Sequence, residues 1–413
     1  MTINKTFLCM LLSCICLPCV AYSSDQISTL SQAIEKTLES NPNLKSFSPK
    51  LAAAKANINQ ASLLPNPVLG FEVEDFGGQL DGFNQSESTI SIDQPIPLGG
   101  KINAKKELAS TQLELAEKQN QVQLYDLLSQ VKMAYLDLVF SKTLITIQQE
   151  QVKLSKKVLS SVTKRHNAGA VLLLEKTKAE ILLKQDLIEL KKAKNLLKIN
   201  KQSLVSFWGG EIKDVANLEK EKLELGEIEP YLEKIDINNI PIFETTLLDR
   251  KIAKKAQNLA KANRVPNMAI GLGYRRLEQT ETNAFLARVS FGLPILNRNQ
   301  GSIQASINQS KVANLNSSSI KLQVTREIQN LQSSLEIAKQ EFDLIKQTII
   351  PKAKQAYYQA KKAYDQGRGA YLDLTDARRT LFTTKTREQE VLLTANRAKV
   401  GIEKFTGSLN GEY

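Results

Sequence analysis

One arrangement occurs twice in this chain and limits its folds more than any other feature. LPNPVLGFEVEDFGGQLDGFNQSESTISIDQPIPLGGK runs from Leu64 to Lys101, and VPNMAIGLGYRRLEQTETNAFLARVSFGLPILNRNQG runs from Val265 to Gly301. In the first, Leu69, Phe71 and Val73 alternate with Gly70, Glu72 and Glu74, and Ile90 and Ile92 alternate with Ser91 and Asp93. In the second, Met268, Ile270, Leu272 and Tyr274 keep the same alternation, followed after a turn by Phe285, Ala287, Val289 and Phe291. A period of two marks a strand with two unlike faces. The spacing predicts strands over about 66–77 and 88–97, and again over about 267–276 and 284–294.

The rest reads as helix, and it repeats as well. Pro65 and Pro266 are 201 residues apart, Pro95 and Pro294 are 199, and the pairs Gly169/Gly367, Leu174/Leu372, Glu175/Asp373 and Ala179/Ala377 are each 198. The chain is a tandem duplication of one unit: helix, hairpin, long helix, Gly turn, return helix. From Lys101 to Asn167 there is neither Pro nor Gly, which allows about 100 Å of unbroken helix at 1.5 Å per residue. Apolar residues at Leu124, Leu128, Val131, Tyr135, Leu138, Ile145, Val152 and Leu159 follow a 4-3 spacing, as do Ile328, Leu331, Leu335, Ala338, Phe342, Ile345 and Ile349. Such spacing predicts coiled-coil packing, with a kink at Pro351. The expected segments are a signal peptide over 1–23, a first repeat over 24–208, a linker over 209–242, a second repeat over 243–406 and a tail over 407–413.

Composition agrees with long helices: 6% aromatic residues and 24% charged ones leave little for a large globular core. The net charge of +12 is spread along helical segments and reads as a solvated surface rather than a nucleic-acid patch. After Lys5 the run FLCMLLSCICLPCVAYSS has the form of a secretory signal, with cleavage expected after Ala21 or Ser23. It holds all four cysteines, Cys9, Cys14, Cys16 and Cys19, so the processed chain is expected to lack thiols and disulfides. Lipoprotein processing at Cys14 is the alternative.

Beyond the signal no run of eighteen apolar residues occurs, so only the hairpins are candidates for a bilayer. Strands in hydrocarbon require a closed barrel, and the smallest membrane barrels use eight strands. This chain supplies four, so closure needs several chains. The competing reading is a small soluble sheet on a periplasmic coiled coil.

The signal, the duplicated helix–hairpin–helix unit and the Gly-centred turns resemble the TolC family of outer-membrane efflux channels. Within it, FEVEDFGG at Phe71 to Gly78 and QPIPLGGK at Gln94 to Lys101 are similar to the heavy-metal (CzcC/CusC-like) branch. The resemblance implies a mainly α fold with a membrane β-barrel: a homotrimer whose twelve strands close one barrel, continued by a periplasmic helical barrel. It also implies two protein partners, a periplasmic adaptor protein and an inner-membrane resistance-nodulation-division transporter.

Both Gly turns lie at the far ends of the long helices from the hairpins. A Gly turn followed by exposed apolar residues gives a surface for another helical hairpin. The candidates for adaptor docking are Gly169, Val171, Leu174, Glu175, Gly367, Leu372 and Asp373; the competing reading is capped helix ends with buried leucines. Asp373 and Asp376 share a helix face, and in a trimer they would form carboxylate rings able to hold a cation or to pair with Arg368. The resemblance places gate aspartates there and a gate tyrosine at Tyr364; Arg368 sits one residue from the family's gate arginine. His166 is the single histidine, no metal site or cofactor is expected, and no nucleophile–base pair marks an enzyme. The resemblance implies a passive exit duct for heavy-metal cations, opened at its periplasmic tip when the adaptor and pump dock. Drug efflux, type I secretion and a structural periplasmic coiled coil stand as alternatives.

Overall fold

The computed structural model describes residues 26–80, 82–216 and 221–408. The expected signal segment, its cysteines and most of the tail lie outside these residues. Three helices open the chain: α1 (Leu30–Ser40), α2 (Pro42–Lys45) and α3 (Phe47–Ser62). Thr29 and Gln32 form a reciprocal capping box at the start of α1. The Asn41-Pro42 break has a local cause. Asn41 ends α1 in an extended conformation, and its side chain caps α2, where Pro42 fills the first helical position.

Strands β1 (Val68–Glu74) and β2 (Glu87–Ile96) follow, then α4 (Lys101–Asn167), α5 (Leu173–Val205), α6 (Glu229–Leu232) and α7 (Pro241–Ala262). After β3 (Met268–Leu277) and β4 (Thr282–Phe291) come α8 (Gln300–Leu344), α9 (Ile350–Asp365) and α10 (Tyr371–Thr406). The helix α4 spans 67 residues without interruption. Between α8 and α9 five residues, Ile345–Ile349, form a π-helical turn directly before Pro351. Proline has no N–H to donate and its ring crowds the carbonyl four residues back, so the chain widens there by one residue instead of breaking.

The two hairpins do not stand apart. β2 pairs with β3 over ten residues, and all four strands form one antiparallel sheet in the order β1-β2-β3-β4. The register puts Leu69 beside Ile92, Ile92 beside Leu272, Ile90 beside Tyr274 and Tyr274 beside Phe285, so one face is apolar through its middle, with Ser88, Arg276 and Asn283 toward the turns and Gln94 near the helices. That face is uncovered; Phe285 is 90% exposed. The other face is polar, with Arg275 paired to Glu74 and Glu87, and Arg288 near Asp93. The outer edges of β1 and β4 have no strand partner among the described residues.

The main core lies midway along the helices. Val131, Tyr135 and Leu138 of α4, Leu335, Ala338 and Phe342 of α8, and Val391 to Ile402 of α10 meet there. The stretch expected as a linker belongs to this core. Trp208, Val215, Leu223 and Ile228 are buried in it, and Val215 pairs with Ile27 in an isolated parallel bridge. Beneath it Lys132 of α4 and Glu403 of α10 form a buried ion pair, and Tyr231 OH donates to the same carboxylate at 2.7 Å. A second cluster, with Val158, Val162, Tyr357, Tyr364 and Leu374, fills the end of the long helices remote from the sheet. None of the described helices is long and apolar enough to cross a membrane.

Leu335 is fully buried in the main core. Leu335→Ala is expected to cost about 2–5 kcal/mol through lost contacts and the cavity left behind, read by denaturant unfolding of the detergent-purified protein.

Candidate functional site

The end remote from the sheet is built on two matched turns. Gly169 and Gly367 stand just past α4 and α9 with φ of 75° and 77°. This left-handed conformation suits glycine, which has no Cβ to clash. The hydrogen bonds repeat too: Ala170 N–H reaches the Arg165 carbonyl and Gly169 the His166 carbonyl, while Arg368 reaches Ala363 and Gly367 reaches Tyr364. Both are Schellman caps, which satisfy the last helical carbonyls and reverse the chain into α5 and α10.

The caps leave the following apolar residues in the open. Leu172 is 73% exposed, Leu372 is 74%, and Leu173 and Leu174 are also largely uncovered. Leu172, Leu174, Ile181, Tyr371 and Leu372 line a groove of about 560 Å³ between the starts of α5 and α10. Val171 turns inward and packs on the end cluster. So the leucines expected at this turn, Leu174 and Leu372, are not the buried ends of capped helices.

Tyr364 is the most enclosed of the expected gate residues, at 1% exposure. Its hydroxyl donates to Glu175 Oε2 at 3.1 Å, and its ring packs edge-on against Tyr371 with centroids 6.1 Å apart. Arg165 lies over the other side: its guanidinium carbon is 4.5 Å from the ring centroid, and Nη1 donates to the Tyr364 carbonyl at 2.5 Å. A residue of the first turn thus grips the second turn through both the ring and the backbone of one residue. Nothing in the sequence pattern singles out Arg165, because basic residues in a last helical turn are ordinary partners of the helix dipole.

The aspartates sit differently. Asp373 is exposed, with no ion pair among the described residues, and Asp376 pairs with Arg379 at 2.5 Å, one turn along its own helix. Arg368 is exposed and makes no ion pair with either aspartate within the chain. Within one protomer Asp376 meets Arg379, one helical turn away on a face they share, whereas Arg368 precedes the reversal into α10; the expected Arg368 pairing belongs to a ring of three chains. His166 Nδ1 lies 3.2 Å from the Val171 carbonyl and helps close the first turn. No group of three metal-ligating side chains occurs among the described residues.

Further up, a buried polar cluster joins three helices. Arg378 of α10 donates to Asp186 Oδ2 of α5 at 2.6 Å and to Ser155 Oγ of α4; Gln151 of α4 donates to Asp186 Oδ1 at 2.7 Å. The periodic patterns do not reveal it, since an Arg, an Asp and a Ser on helices otherwise rich in charge look like solvated residues.

Burial, and then the bond to Glu175, pushes the Tyr364 phenol up to about 12 from 10.0. An acid whose pKa rises on folding stabilises the folded state fully below its unfolded value, and that contribution is lost as pH climbs from about 10 through about 12. Spectrophotometric titration is expected to show a phenol ionising near 12 that vanishes in Tyr364→Phe and moves down in Glu175→Gln.

Comparison with known proteins agrees with this architecture. The chain is similar to the cobalt-zinc-cadmium resistance protein CzcC of Cupriavidus metallidurans, 26% identical over 380 residues that cover 92% of this chain and 90% of that one. Among solved structures it superimposes on the outer-membrane channel OprN with a TM-score of 0.77 at 17% identity, covering 93% of this chain and 90% of that one. For the outer membrane protein VceC of Vibrio cholerae the TM-score is 0.77 at 17% identity, with 91% and 95% covered. For CusC it is 0.74 at 15% identity, with 94% of each chain covered. The model of the outer membrane efflux protein family matches residues 33–210 and 239–408, which takes in both repeats. The chain belongs to the outer membrane efflux protein family, a set of outer-membrane channels.

Proposed function

We propose that this protein is the outer-membrane exit duct of a tripartite pump, conducting heavy-metal cations from the periplasm to the outside. One observation carries the reading. A sheet with one apolar face and two open edges sits at one end of helices about 100 Å long, and a leucine-lined groove sits at the other. Three copies supply the twelve strands of a barrel of ordinary membrane size, with the apolar face toward lipid and the Arg275–Glu74–Glu87 face toward the lumen.

The remote end is then the periplasmic tip. Leu172, Leu174 and Leu372, with Gly169, Val171, Gly367, Glu175 and Asp373 shaping the turns, dock the helical hairpin of a periplasmic adaptor. An inner-membrane transporter of the resistance-nodulation-division type supplies the energy. Asp373 and Asp376, repeated around a threefold axis, make the carboxylate ring of the resting aperture, and the Tyr364–Glu175 hydrogen bond holds the second turn against the first. Heavy-metal cargo is supported by the similarity to CzcC and by the Phe71–Gly78 and Gln94–Lys101 motifs.

Deletion of the gene is expected to sensitise the cell to cobalt, zinc or cadmium, with drug tolerance unchanged. A strain that loses only drug tolerance, or only secretion of a protein, would assign the duct to another pump. Leu172→Asp with Leu372→Asp is expected to weaken adaptor capture by at least about tenfold, as for loss of central apolar anchors. Asp373→Ala with Asp376→Ala is expected to raise the conductance of the resting channel in planar bilayers; unchanged conductance would remove the aspartates from the gate.

A further inference from the structure

The helices α5 and α10 are separated by a groove of about 780 Å³, with Leu182, Gln185 and Glu189 on one wall and Thr375, Phe382 and Thr383 on the other. The Arg378–Asp186 ion pair crosses this groove, and the two side chains are only 3% and 4% exposed. Ser155 and Gln151 complete the bridge from α4, so that α10 is tied to both helices of the first repeat at one point.

We infer that Arg378 and Asp186 are positioning residues of the gate: a latch that holds α10 in its resting place and opens by exchanging the ion pair for water. The inference rests on the reading of the tip as the closing point. Three observations carry it. A buried ion pair is a poor device for stability alone, because desolvating both charges costs as much as their attraction returns, and apolar residues of similar size do as well. Here the pairing is also incomplete, since Arg378 Nε is buried without a hydrogen-bond partner. The duplicated scaffold does without the cluster as well. The positions 198 residues away from Arg378, Asp186 and Ser155 are Glu180, Thr384 and Ala353, so the coiled coil of this repeat unit does not require it.

The adjoining groove gives the pair its second property. When α10 swings away, solvent reaches Arg378 and Asp186 at once and restores their hydration. An apolar contact in the same place would instead expose hydrocarbon to water on opening. A charged tie therefore fixes one resting register while lowering the resistance to leaving it. Removing one charge strands the other and pushes α10 outward; removing both replaces the latch with a seal.

The experiment compares trimers carrying Asp186→Asn with trimers carrying Asp186→Leu and Arg378→Met together. Spin labels at exposed Lys157 of α4 and Thr380 of α10, placed through cysteine substitutions, report the helix separation, and planar bilayers report opening. Asp186→Asn is expected to add a longer-distance population and to raise resting openings by roughly tenfold. The double variant is expected to keep the short distance and to open less often than the wild type. Unchanged distances in Asp186→Asn, or a double variant that loses the short distance, would overturn the latch; the second arm also decides the matter if Asp186→Asn does not assemble. A longer distance without added conductance would keep the latch and overturn the tip as the closing point.

Discussion

Backbone hydrogen bonding sets the terms for the whole molecule. A strand in hydrocarbon has no water for its N–H and C=O groups, so every one of them must meet another strand. Among the described residues the three interior pairings are formed and the two outer edges have no strand partner. An apolar face that includes Phe71, Leu272, Phe285 and Val289 could not remain in water as a monomer without inviting aggregation along those edges. The number of strands, the exposed face and the open edges are three consequences of one requirement, and self-association into a closed barrel satisfies them together.

The helices follow from the distance that such a barrel must serve. A 67-residue helix cannot be buried in one globular core, so its apolar residues are distributed between a midpoint cluster and an end cluster. At the midpoint Ala33 of α1 and Trp208, Val215, Leu223 and Ile228 pack around it, and the buried Lys132–Glu403 pair fixes how α4 meets α10. The π-helical turn before Pro351, where α8 passes into α9, lies at the edge of the midpoint cluster, to which Ile345 and Ile350 belong. The midpoint and the remote end are thus packed as separate clusters, which the proposed opening of the tip requires.

Much of this was legible in the sequence because it depends on periodicity. The period of two placed all four strands within a few residues, the absence of Pro and Gly delimited α4 at Lys101 and Asn167, and the repeat arithmetic matched Gly169 with Gly367 before their shared cap was seen. What escaped depends on contacts between elements. That β2 pairs with β3 follows from the return of the chain through α7, which no local pattern encodes. Val215 and Ile228 read as parts of a linker because their stretch has no period, yet apolar residues in irregular structure bury as well as any others. At the tip, Tyr364, Glu175 and the leucines were singled out through the repeat or the family resemblance. Arg165 and the Arg378–Asp186–Ser155 cluster were not, since polar residues declare a role only once their partners across the fold are known.

The duplication itself explains why those partners matter. Two identical repeats would make two identical tips, and neither would have reason to close on the other. Here the positions have diverged in complementary ways: His166 stands where the second repeat has Tyr364, Arg165 where it has Ala363, and Glu175 where it has Asp373. The first repeat keeps the cation and the carboxylate acceptor that grip Tyr364, and the second keeps the exposed aspartates. On the proposed gating, the first repeat is the holder and the second the moving part. Arg378 of the second repeat and Asp186 of the first extend the same asymmetry up the helices, so that there too the two repeats meet through unlike residues.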